Sequence, residues 1–139
     1  MPAVLQPKQP SLYRIWNTRK TSFSYTDDFP GTDILLCDRW TSFWDKEQRP
    51  LYENDLVVLH YTFKSGWIVG VVTRHQNSFG IRPLTIRSRV LEIYWLQESY
   101  KEGNVYQTKL DKVEAECTKL NKGFTDELDI YSPGPLRRF

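Results

Sequence analysis

The sequence predicts a mainly β fold: a small barrel-like or curled antiparallel sheet around residues 51–106, with added N-terminal strands and a C-terminal helix packed outside. Three observations lead there. Seven Phe, five Trp and eight Tyr stand against one Met, and flat or β-branched side chains suit a pleated surface. Two runs of such residues, 56–63 and 67–73, are joined by Lys64-Ser65-Gly66, which reads as a hairpin. Near the end, residues 107–120 repeat their apolar side chains at helical spacing.

Taken in order, residues 1–11 contain Pro2, Pro7 and Pro10 and read as a flexible arm. Residues 12–16 alternate apolar and polar side chains, the pattern of a half-buried strand. A short second strand at 23–25 ends in a turn cluster closed by Pro30-Gly31. The continuous apolar run Ile34-Leu35-Leu36-Cys37 is short enough to favour a strand within 33–40. After the hairpin, a turn at 75–78 leads to a strand at 79–82, where Pro83 interrupts; 84–87 and 90–96 are further short strands. Sequential strands with tight turns make a meander.

The helix over 107–120 carries Leu110, Val113, Cys117 and Leu120 on one face. Thr108 is placed to cap its start, and Asn121-Lys122-Gly123 to stop it. Its apolar stripe either docks on the sheet or forms a short self-association seam, a possible interaction helix. The chain of 139 residues thus reads as one domain over 12–122, between an arm at 1–11 and a C-terminal tail at 123–139.

The net charge is too small to demand a polyanionic partner. The net charge is +2, with +3 over residues 1–97 and −3 over 98–129. Cys37 and Cys117 lie 80 positions apart without the paired spacing of metal or redox sites, and are expected to be free thiols in a reducing compartment. No basic start precedes an apolar run, and no apolar run approaches the roughly 20 residues of a membrane span. A cytoplasmic location without membrane contact is expected.

The segment 44–57, Trp-Asp-Lys-Glu-Gln-Arg-Pro-Leu-Tyr-Glu-Asn-Asp-Leu-Val, resembles the signature of the YopX family, in which a D-K-x-G-x-x-I-Y-E-G-D-I-V turn enters a barrel strand. Two flanking elements agree in order: Tyr13-Arg14-Ile15-Trp16 is similar to the family's opening Y/F-R-x-W, and Gly103-Asn104-Val105-Tyr106-Gln107 to its closing G-N-I/V-Y-x. The resemblance covers residues 12 to about 111. Asn54 stands where the family has Gly, and Asn tolerates a positive φ better than other side chains do. Lys101-Glu102 stands where the family has an apolar pair. The resemblance implies a phage- or prophage-encoded β protein with a barrel-like core and no established biochemical activity.

No motif points to catalysis, a cofactor or a resident metal. Asp45 and Asp55, with Glu47 and Glu53 nearby, could cluster around a metal. A turn built by Glu53, Asn54 and Asp55, in which Asp55 accepts nearby amide hydrogens, is the favoured reading. On that basis Asp55→Ala is expected to destabilise by about 1–2 kcal/mol. His60 is expected to be a half-buried strand residue and His75 an exposed turn residue. Arg74, Arg82, Arg87 and Arg89, with Phe79, Tyr94 and Trp95 among them, would suit single-stranded nucleic acid if they shared one face. The function expected is non-enzymatic binding of a protein partner, a host factor or a second copy, with nucleic acid as the alternative.

Overall fold

The computed structural model describes residues 9–31, 36–61 and 66–127. Among these, eight strands make two antiparallel sheets: β1 (Tyr13–Asn17), β2 (Ser22–Thr26), β3 (Cys37–Trp44), β4 (Pro50–Tyr52), β5 (Asp55–Tyr61), β6 (Gly66–His75), β7 (Ser78–Pro83) and β8 (Ser99–Asn104). The first sheet runs β2-β1-β3-β4 and the second β7-β6-β5-β8. The second curls strongly into a half-barrel. A 3-10 turn, Ile93–Glu98, precedes β8, and one helix, α1 (Leu110–Glu127), follows it.

The apolar run of β5 is continuous because both faces of the strand are covered. Val57 and Leu59 point into the half-barrel beside Leu51, Ile68, Val72, Ile81 and Leu96. Leu56 and Val58 point the other way, with Val69 and Val71, and meet Val113 and Cys117 of α1. Each such side chain, fully buried, contributes about 1.5–3 kcal/mol.

The expected mainly β fold with its meander and C-terminal helix is therefore what forms. Four local expectations need correction. The third strand starts at Cys37 and runs on to Trp44, with a bulge between Trp40 and Trp44 where Ser42 takes φ 69°. Residues 84–87 form no strand. Over 90–96, Leu91 makes one isolated bridge with Ile81, and the chain then coils into the 3-10 turn. In that turn side chains three apart eclipse, so Ile93 and buried Leu96 both face the core cluster.

The fourth correction concerns the helix. It starts at Leu110, passes through Asn121-Lys122-Gly123 and reaches Glu127, so part of the expected tail is helical. Thr108 caps nothing. Its hydroxyl accepts the Asn104 amide at 3.1 Å and fills the space beside Gly103. The buried face is Val113, Glu114, Cys117 and Asn121, whereas Leu110 and Leu120 are 37% and 40% exposed. Asn121 replaces the expected stop with a tether: its amide donates to the Trp67 carbonyl and accepts the Trp67 N–H, both at 2.7 Å. Residues 1–8 of the arm, Ile34 and Leu35, the turn residues Lys64 and Ser65, and residues 128–139 of the tail lie outside the described residues.

Candidate functional site

The Glu53-Asn54-Asp55 turn between β4 and β5 has the backbone its sequence implies. Asn54 takes φ 69°, and Asp55 Oδ2 accepts the Tyr52 amide at 2.8 Å. The turn is also one side of a buried charge cluster. Arg14 of β1, 3% exposed, donates from Nη1 to Asp55 Oδ1 at 2.6 Å. Its Nε and Nη2 reach Asp38 Oδ2 at 3.1 and 2.9 Å, and Nη2 also meets the Glu53 carbonyl at 2.9 Å. The guanidinium lies between the rings of Phe23 and Tyr52, 4.4 and 4.9 Å from their centroids.

Asp38 Oδ1 accepts the Asn54 amide and the Tyr106 hydroxyl, both at 2.8 Å. Burial pushes the Asp38 carboxyl up, and these two donors and Arg14 pull against that without cancelling it. Tyr106 stacks on Trp16 with ring centroids 5.6 Å apart and planes 14° apart. Burial and the Asp38 carboxylate raise its phenol above the ordinary value.

All three segments that carry the family resemblance thus meet here, supplying Arg14 and Trp16, Asn54 and Asp55, and Tyr106. Sequence reasoning singled out the turn and missed Arg14, Asp38 and Tyr106. The available signal was an arginine inside a strand otherwise aromatic and aliphatic. The cluster is enclosed and its charges are matched, so it acts as a clamp between the two sheets rather than a place for a substrate.

The carboxylates at the two ends of the signature are tied by one residue. Asp45 Oδ1 accepts the amides of Glu47 and Arg49, and its Oδ2 accepts Arg49 Nε and the Lys101 amide, all within 2.9 Å. Lys101 Nζ reaches Asp55 Oδ2 at 3.2 Å. The Lys101-Glu102 departure from the family pattern therefore has a place: Lys101 pairs with Val57, and a bulge at Glu102 sets Gly103 opposite Leu56. Both aspartates are occupied by protein donors. Among the described residues no group of three His, Cys, Asp or Glu side chains is arranged to hold a metal ion.

The four arginines do not share one face. Arg74 pairs with Phe79, and Arg82 pairs with Val71 three positions away, an odd separation that puts Arg74 and Arg82 on opposite faces of the β6–β7 ribbon. Arg74 forms an ion pair with Glu53, 2.8 Å from Nε to Oε2, and Glu53 also accepts the Arg39 amide. Arg87 is exposed beyond the end of β7. Arg74 and Arg89 line two different hollows that flank the β6–β7 turn.

The larger hollow, about 740 Å³, is lined by Arg39, Arg74, His75, Phe43, Phe79 and Ile93 with polar residues of the turn. The smaller, about 390 Å³, is lined by Tyr61, Trp95, Arg89 and Glu92, and shares His75 and Gln76 with the first. Gln76 and Asn77 take φ 49° and 63°, as a two-residue type I′ hairpin turn requires. His75 is half-buried between the hollows rather than exposed, while His60 is half-buried on β5 as expected, its ring edge-on to Trp67. Arg39 was not anticipated, because its exposure depends on the strand continuing past Trp40.

Of the proposed interaction helix, Val113 and Cys117 are sealed against β5 and β6, so only Leu110 and Leu120 remain at the surface. Both cysteines are free thiols, and burial pushes the Cys117 thiol up to about 12. Among the described residues no helix is long and apolar enough to cross a membrane. Compared with models of known families and with curated sequences, the chain matches no family model and no curated protein.

Proposed function

We propose that this chain is a non-enzymatic binding protein, a phage or prophage accessory factor of the YopX kind, that takes a segment of a partner protein across the two hollows beside the β6–β7 turn. One observation carries the reading: two adjoining open hollows in which Arg39, Arg74 and Arg89 alternate with Phe43, Phe79, Tyr61 and Trp95. Aromatic and arginine side chains over a partly apolar floor are the composition of protein-binding surfaces. The exposed basic groups favour a partner segment with acidic and apolar residues.

Nucleic acid is the second reading, favoured by the same arginine–aromatic interleaving. It is weakened by Glu53 on Arg74, by Glu92 in the smaller hollow, and by Arg82 facing away. The test pairs wild type with Arg39→Glu/Arg89→Glu, two exposed positions whose change leaves the core intact. A photo-crosslinker at Gln76 identifies the host protein in contact, and titration then measures its affinity. Binding reduced at least tenfold by the double variant, at unchanged melting temperature, supports the reading. Binding indifferent to the variant overturns it. Submicromolar binding of a single-stranded oligonucleotide, with a log–log salt slope near −0.7 per phosphate contact, would assign the surface to nucleic acid.

A further inference from the structure

Strand edges present unpaired amide and carbonyl groups, and proteins usually protect them with charge, proline, bulges or brevity. Three of the four edges here are protected in that way. β4 is three residues long and begins with Pro50, β7 carries Arg82 and ends at Pro83, and β8 carries Lys101 and Glu102 with a bulge. β2 has none of these devices. Its sequence is Ser22-Phe23-Ser24-Tyr25-Thr26, and among the described residues no strand lies on its outer side.

The direction of its free groups follows from its neighbours. The Trp16 amide bonds the Leu36 carbonyl, and the Trp40 amide bonds the Leu12 carbonyl, so even-numbered residues of β1 turn their backbone toward β3. Odd-numbered residues of β1 then face β2, where their partners are Ser22, Ser24 and Thr26. Phe23 and Tyr25 are left with amide and carbonyl groups pointing outward.

We propose that β2 pairs antiparallel with β2 of a second copy of this chain, about a two-fold axis beside Ser24, joining two four-stranded sheets into one of eight strands. In that register Ser24 faces its own counterpart, and Phe23 exchanges both hydrogen bonds with Tyr25 of the other copy. Each Phe23 ring then lies beside a Tyr25 ring, a stabilising cross-strand pair. Tyr25, 56% exposed in the single chain, gains cover.

The ends of the strand identify the partner. Arg19 and Lys20 precede β2, and Asp27 and Asp28 follow it, all exposed. A two-fold antiparallel arrangement brings the basic end of each copy to the acidic end of the other, twice. A parallel arrangement would oppose like charges. This surface is independent of the hollows beside the β6–β7 turn, so it stands or falls separately from the proposed function.

The experiment uses sedimentation velocity on the full chain from micromolar to submillimolar concentration. Wild type should approach about 33 kDa, twice the 16.5 kDa chain mass. Ser24→Lys and Ser24→Asp should each sediment as monomers, since like charges then face each other across the axis. A one-to-one mixture of the two variants should restore the dimer. Ser24 is exposed, so all three proteins should melt alike at concentrations too low to populate the dimer. Raised salt should weaken the wild-type dimer by screening the charged ends. A monomeric wild type over that range, a dimer that survives either single substitution, or a mixture that stays monomeric would each overturn the proposal.

Discussion

Replacing Asp55 by alanine leaves Arg14 buried with one carboxylate instead of two. The turn alone suggests a loss of about 1–2 kcal/mol, but the cluster raises that figure. Asp55 is 0% exposed and holds three donors: Arg14 Nη1 at 2.6 Å, the Tyr52 amide at 2.8 Å and Lys101 Nζ at 3.2 Å. Removing one partner of a buried ion pair costs about 3–5 kcal/mol, because the remaining charge is left poorly compensated. Asp38 and the Glu53 carbonyl still hold Arg14, which places the expected loss near the middle of that range, at about 4 kcal/mol. Against a typical total of about 5–15 kcal/mol, that is a large share of the stability. Urea titration followed by tryptophan fluorescence measures it, with the midpoint falling and the slope unchanged. Asp55→Asn, which retains an acceptor for the Tyr52 amide but not the charge, should fall between wild type and alanine. A loss below about 1 kcal/mol for Asp55→Ala would refute the clamp and return Asp55 to the role of an ordinary turn residue.

Asn121→Ala should lower stability by about 1–3 kcal/mol, since the Trp67 amide and carbonyl lose their partner, and truncation after Tyr106 should expose Leu56, Val58, Val69 and Val71 and lower solubility, seen by light scattering. Iodoacetamide at pH 8 should label half-exposed Cys37 and spare Cys117 in the native protein, because a thiol raised to about 12 is ionised in only about one molecule in ten thousand at that pH; mass spectrometry reads the difference, which denaturant should abolish. Burial raises the Tyr52 phenol to about 12 and Tyr106 above its ordinary value. In the unfolded chain these groups lose protons near pH 10, so the native state holds more protons above that pH, and stability should fall as pH rises from about 10 to 12. Tyr106→Phe should flatten part of that decline in melting temperature.

The half-barrel was legible because its information is local. Branched and aromatic runs at 56–61 and 67–73 mark strands wherever they occur, and Asn54 announces its own backbone angle. The charge clamp was not legible, because Arg14, Asp38 and Asp55 come from separate strands and meet only once both sheets have formed. In an alternating strand Arg14 reads as the solvent side, whereas the structure turns Arg14 and Trp16 inward, since two carboxylates await it there. Residues 90–96 misled for a related reason. Their composition suits a strand, but after Leu91 the chain coils into a 3-10 turn against β7, β3 and β5 that delivers Ile93 and Leu96 to the core. The arginines 74 and 82 looked like neighbours in sequence, but strand parity separates them.

The clamp also sets an order of events when the chain leaves the ribosome. Arg14 emerges first, Asp38 and Asp55 follow 24 and 41 residues later, and Lys101 and Tyr106 complete the network last. Until β8 has been made, Asp38 lacks the Tyr106 hydroxyl, and Asp45 and Asp55 lack the lysine that joins them. Contacts of such long sequence separation are slow to form. Arg14, Asp38 and Asp55 can therefore meet before β8 pairs with β5, and Lys101 and Tyr106 close the network afterwards.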